Sequence, residues 1–108
     1  MKKKLKNNKK IKKYLDSLPK IYLIGCWARY GVWEFPFTGK YTDNGTMPLV
    51  YCYDDCNGWC DNWYLRKLSD TTTGGYMGFT FSKHKAEKIA NALNTVKEEE
   101  LNKLSKNF

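Results

Sequence analysis

The chain has few of the residues on which common catalytic and membrane-spanning sites depend. Among its 108 residues there is one histidine, His84, and there are only two arginines. No apolar run approaches 18 residues, which predicts that there is no transmembrane helix. No G-x-x-x-x-G-K-S/T string indicates a phosphate loop. A Cys–His catalytic pair needs the histidine beside a thiol, whereas the first turn of a helix favours an exposed His84. We therefore expect a cytoplasmic protein that is not an enzyme.

The positive charge is concentrated at the N-terminus. The net charge is +8, and residues 1–20 carry nine lysines against the single acid Asp16. Residues 21–108 carry ten basic and ten acidic residues, so they contribute no net charge. This division predicts a lysine-rich arm with a short helix at residues 1–20 and a single α+β domain at residues 21–108.

Three roles are open for the arm: a solubilising tail, a phosphate or nucleic-acid contact, and a contact with a membrane surface or an acidic protein. Lysine without arginine favours diffuse electrostatic attraction over bidentate reading of bases. The lysines that would contact nucleic acid or phosphate are Lys2, Lys3, Lys4, Lys6, Lys9, Lys10, Lys12 and Lys13.

Hydrophobic periodicity predicts a helix at each end of the chain. Between Lys9 and Leu18 the apolar residues recur at helical spacing, and Pro19 ends the pattern. Residues 1–8 are too charged to fold alone and are predicted to be flexible. Ser82 is a good N-cap for a long C-terminal helix. One face of that helix carries Ala86, Ile89, Ala90, Leu93 and Val96.

The middle of the chain predicts strands joined by short turns. The predicted strands are residues 21–27, 32–41, 48–54, 63–68 and 76–81, with a polar loop at 55–62. Asn44-Gly45 indicates a hairpin turn, and Pro36 favours an edge strand or a bulge. The fold class is therefore α+β: an antiparallel meander of about four to five strands packed by the long C-terminal helix, with a short N-terminal basic amphipathic helix.

Four cysteines leave three chemical states open. Cys52, Cys56 and Cys60 are spaced C-x3-C-x3-C, and Cys26 lies well before them. Zinc sites use paired knuckles with a longer loop between them, so this spacing fits a structural zinc only loosely. Unliganded thiols and one or two disulfides are the alternatives.

Aromatic residues make up 16% of the chain, with eight tyrosines and four tryptophans. The core of a chain of this length cannot enclose all of these rings, and several are therefore expected at the surface. There, rings supply contact area at low entropic cost. The segment from 51 to 64 combines rings with acids and is the first candidate surface for a partner. Its contact residues are Tyr51, Tyr53, Asp54, Asp55, Trp59, Asp61, Trp63 and Tyr64.

These features favour a non-enzymatic binding module. In size and in its Lys/Asn-rich, Arg-poor usage the chain is similar to phage inhibitors of host defence, such as anti-CRISPR proteins. That similarity implies protein–protein contact with a host protein, including one that handles nucleic acid. One alternative is a nucleic-acid-binding protein that uses the lysine arm and exposed rings. Another is a small cysteine-dependent enzyme.

Overall fold

The computed structural model describes residues 4–6, 9–55, 61–71 and 75–106. It has the α+β architecture that the sequence predicts, with a short N-terminal and a long C-terminal helix. The strands are β1 (Lys4–Lys6), β2 (Lys20–Cys26), β3 (Tyr30–Tyr41), β4 (Pro48–Asp55), β5 (Asp61–Lys67) and β6 (Tyr76–Thr80). The helices are α1 (Lys9–Ser17) and α2 (Lys83–Lys106), and Leu68–Asp70 forms a short 3-10 turn.

The strands are ordered β1-β5-β4-β3-β2-β6. Strands β2 to β5 form the expected antiparallel meander, while β6 joins beside β2 and β1 beside β5. The edge-strand alternative for Pro36 is wrong, because β3 lies between β2 and β4. The pairing of β3 with β4 is irregular between Phe37 and Tyr41. Gly39 has a φ of 82° there, a conformation that glycine adopts without steric cost.

The predicted flexibility of residues 1–8 is wrong for residues 4–6. These residues form β1, which pairs antiparallel with β5 and sets Leu5 opposite Trp63. Their charge disfavours independent folding, but the edge of β5 supplies partners for their backbone N–H and C=O groups. Lys2 and Lys3 lie outside the described residues.

The chain divides into two compact units, of which the first comprises Met1–Ile21 and Glu34–Thr71. Its buried side chains include Leu15, which is 1% exposed, and Val50 and Leu68, which are fully buried. Leu15 is the only buried residue of α1, and its carbonyl accepts a hydrogen bond from Lys20 Nζ at 3.1 Å. The lysine-rich helix is therefore attached to the first unit through one apolar side chain.

The second unit comprises Tyr22–Trp33 and Thr72–Phe108. Helix α2 begins after Ser82, whose Oγ accepts a hydrogen bond from the Lys85 backbone N–H at 3.3 Å. This confirms the predicted N-cap. The buried residues Ala86 and Ala90 pack with Ile24, and the partly buried Tyr22, Tyr30, Val32 and Leu93 surround them.

Asn94 ties α2 to the first residue of β3. Its Oδ1 accepts a hydrogen bond from the Tyr30 N–H at 2.8 Å, and its Nδ2 donates to the Tyr30 carbonyl at 2.9 Å. We expect Asn94→Ala to lower the free energy of unfolding by about 1–3 kcal/mol, since two half-buried backbone groups lose their partner. Equilibrium urea denaturation measures this loss. The matched control is Asn91→Ala, an exposed position on the same helix, and an equal loss there would contradict the bridging role of Asn94.

Candidate binding groove

The first unit has a concave groove of about 400 Å³ beside the β4–β5 hairpin. Aromatic, apolar and charged side chains share its lining. The lining residues are Glu34, Phe35, Pro36, Cys52, Tyr53, Trp63, Tyr64, Arg66 and Thr71. We call this set the aromatic groove.

Tyr53 and Trp63 form the aromatic pair of the groove. They lie directly opposite each other on β4 and β5. Their rings pack edge to face, with 5.5 Å between centroids and an angle of 70°. Tyr53 is 41% exposed and Trp63 is half-buried. Because β1 pairs with β5 on its other side, the backbone of Trp63 is held between two strands.

Arg66 supplies the cation of the groove. Its Nη1 donates a hydrogen bond to Tyr64 Oη at 3.3 Å, and Tyr64 is only 7% exposed. Glu34 lines the same groove, yet among the described residues it forms no ion pair with Arg66. The other N–H donors of the guanidinium are therefore available to a ligand. A planar guanidinium in a groove lined by aromatic residues suits a carboxylate that follows an apolar or aromatic side chain.

The structure brings three of the sequence-predicted contact residues, Tyr53, Trp63 and Tyr64, to this groove. Tyr64 is buried there, so it supports Arg66 rather than offering a ring to a partner. Three residues predicted to lie in the polar loop belong to strands instead, because β4 continues to Asp55 and β5 begins at Asp61 and includes Asn62. Apart from Tyr51, the remaining predicted contacts are outside the described part of the chain: Trp59 entirely, and Asp54, Asp55 and Asp61 for their side chains.

Tyr51 has a structural partner of its own. Its phenol interacts with that of Tyr14 of α1. Burial raises the pKa of Tyr51 above its ordinary value, and the charge and hydrogen bond of Tyr14 raise this pKa further. Tyr51 therefore helps to attach α1 to β4 and does not line the aromatic groove.

Sequence reasoning missed five lining residues: Glu34, Phe35, Pro36, Arg66 and Thr71. No sequence motif includes them, because they lie on segments far apart in the sequence (β3, β5 and the residue after the 3-10 turn). Only long-range strand pairing brings these segments together. The strand pattern explains the position of Arg66 in part. Arg66 lies two residues after Tyr64 on β5, and side chains two residues apart on a strand share a face.

The cysteines and the histidine form no catalytic or metal-binding group among the described residues. Cys52 is a buried thiol in the groove wall, and Cys26 is a half-buried thiol of the second unit. The part of the chain that the structure describes contains no cluster of three metal-ligating side chains, but Cys56 and Cys60 lie outside it. The side chain of the exposed His84 makes no hydrogen bond to a described residue.

A larger concavity of about 520 Å³ lies beside the β3–β4 turn of the same unit. Its polar groups already bind one another: Asn44 Oδ1 accepts hydrogen bonds from the Thr46 Oγ1 and N–H groups at 2.8 and 3.2 Å, and from the Thr42 hydroxyl. The same bonds hold the Asn44-Gly45 turn, where Gly45 has a φ of 73°. This concavity is therefore explained by the hairpin turn, and we take the aromatic groove as the candidate site.

Comparison with known proteins identifies no relative. No protein-family model, curated protein or solved structure matches the chain. Among the described helices, none is both long enough and apolar enough to cross a membrane. The function has to be inferred from the side chains of the groove and of α1.

Proposed function

We propose that the chain is a non-enzymatic binding module that recognises a protein partner through the aromatic groove. The observation that carries this proposal is a concave surface whose lining residues include Arg66 and the edge-to-face pair Tyr53 and Trp63. Trp, Tyr and Arg are the residues that most often dominate the binding energy of protein interfaces, and they do so in concave, desolvated positions.

The chemistry of the groove indicates what part of a partner it accepts. The two rings favour an apolar or aromatic side chain, and Arg66 favours a carboxylate that it can bind with two parallel hydrogen bonds. We therefore propose an exposed segment that carries an acidic residue close to an apolar one. A phage-type or CRISPR-directed inhibitor would be one protein of this kind, and that identity stays a prediction.

A second candidate function, nucleic-acid binding, is favoured by α1. Lys9, Lys10, Lys12 and Lys13 are all exposed on this helix, which Leu15 anchors to the first unit. An anchored row of lysines attracts a phosphate backbone and makes affinity depend steeply on salt. Of the described rings that line the groove, only Tyr53 is exposed, whereas single-strand binding uses several exposed rings on which successive bases stack, so nucleic acid comes second.

Affinity capture from an extract of the native cells, with and without nuclease, separates the two functions. We expect a protein that stays bound after nuclease treatment and is released only modestly by added salt. Capture that disappears with nuclease would contradict the proposed function.

A matched variant replaces Lys9, Lys10, Lys12 and Lys13 with Gln. Deleting residues 1–10 would be a poorer test, because it also removes β1 from beside Trp63. We expect the glutamine variant to capture the partner at physiological salt almost as well as the original chain. Complete loss of capture in this variant would assign binding to the lysines.

A further inference from the structure

One face of α2 is exposed although it carries branched apolar residues. Ile89 is 45% exposed and Val96 is 52% exposed, and Ala92 between them is exposed as well. Their spacing of three and four residues places them on one stripe of the helix. Because Ala86 and Ala90 face Ile24, this stripe lies beside the packed face, and the described residues of the second unit leave it exposed.

Charges of opposite sign end the stripe. Lys85 lies four residues before Ile89, and Glu100 lies four residues after Val96. Both side chains are exposed, and neither has an ion-pair partner among the described residues. The order along the stripe is thus cation, apolar, small, apolar, anion.

The same sequence of charges and apolar residues, read in the opposite direction on a second helix, pairs each cation with an anion and each apolar residue with an apolar one. An antiparallel second copy, with the two-fold axis between Ala92 and Leu93, sets Ile89 opposite Val96 and Lys85 opposite Glu100. Symmetry provides each contact twice. A parallel arrangement instead sets lysine against lysine and glutamate against glutamate, which is destabilising. The charge pattern therefore favours a second copy of α2 as the partner and an antiparallel arrangement of the two helices.

We propose that the exposed stripe of α2, defined by Lys85, Ile89, Ala92, Val96 and Glu100, is the interface of an antiparallel homodimer. The occupant is a second copy of this chain. The proposal is independent of the aromatic groove, which belongs to the first unit, so Trp63→Ala should dimerise like the original chain.

The test measures molar mass by sedimentation equilibrium from about 1 µM to about 1 mM, a range that covers weak and moderate dimers. We expect the original chain to approach twice its monomer mass within this range. Lys85→Glu and Glu100→Lys should each raise the dimer Kd by about tenfold or more, because two like-charge pairs then face each other in every dimer. Combining them restores both pairs and should restore the original Kd.

Glu87→Lys is the control, since it makes the same exposed charge change on the opposite side of α2. It should leave the Kd within about twofold, as expected for a charge outside the interface. A chain that stays monomeric throughout would overturn the proposal. So would a double variant no better than the single ones. A third outcome would also overturn the proposal: self-association that Leu101→Ala abolishes and that the charge reversals leave unchanged. The interface would then lie at the last turns of α2.

Discussion

Trp63→Ala reduces partner capture by about thirtyfold, the equivalent of about 2 kcal/mol, which is the usual threshold of an interface hot spot. The expected loss has two parts. The indole contributes the largest ring of the aromatic groove, and it packs edge to face on Tyr53, which is left without its neighbour. The measurement is a titration of the captured partner against immobilised protein, with circular dichroism to show that the variant is folded.

The control for Trp63→Ala is Trp27→Ala. Trp27 is 69% exposed and lies in the second unit, so the same ring is deleted outside the groove. A second matched pair is Tyr53→Ala against Tyr41→Ala, since these tyrosines are 41% and 43% exposed and each forms an edge-to-face ring contact. If the variants inside and outside the groove lose equal affinity, the groove is not the interface.

Leu15→Ala lowers the free energy of unfolding by about 2–5 kcal/mol, the range found when a buried leucine is truncated. Leu15 is 1% exposed and is the single buried residue of α1. The expected loss includes the undocking of the helix, because the contacts that remain, such as that of Tyr14 with Tyr51, hold it less firmly. Equilibrium urea denaturation provides the measurement.

Leu101→Ala is the control for Leu15→Ala, because Leu101 is 53% exposed on the other helix. It should change the unfolding free energy by no more than about 0.5 kcal/mol. If Leu15→Ala lowers the free energy of unfolding by an equally small amount, Leu15 does not anchor α1. The lysines would then belong to a free tail, and the electrostatic role of an ordered helix would have to be abandoned.

The parts of the fold that depend on short-range chemistry were predictable from the sequence. The period of Ile11, Leu15 and Leu18 with Pro19 predicts α1, and the Ser82 cap predicts the start of α2. Asn44-Gly45 predicts a turn that needs a positive φ. In each case the residues that decide the structure lie within one or two turns of one another, so sequence spacing contains the necessary information.

The parts that depend on long-range pairing were not predictable. Nothing in a lysine-rich tripeptide indicates that β1 pairs with the edge of β5. The burial of Tyr64 and the position of Arg66 follow from the register of β4 with β5 and from the nearby β3. The spacing of apolar residues predicts that Ile89 and Val96 belong to the packed face of α2. The packed face is narrower than that, because the sheet covers Ala86 and Ala90 but leaves Ile89 and Val96 exposed.

The most direct test of the groove as the binding surface is backbone amide NMR of the labelled chain, recorded with and without the captured partner. We expect the largest chemical-shift changes at the amides of the lining residues other than Pro36, which has no amide proton: Glu34, Phe35, Cys52, Tyr53, Trp63, Tyr64, Arg66 and Thr71. Changes confined to residues 9–13 of α1, with the groove amides unmoved, would contradict it and assign recognition to the lysines.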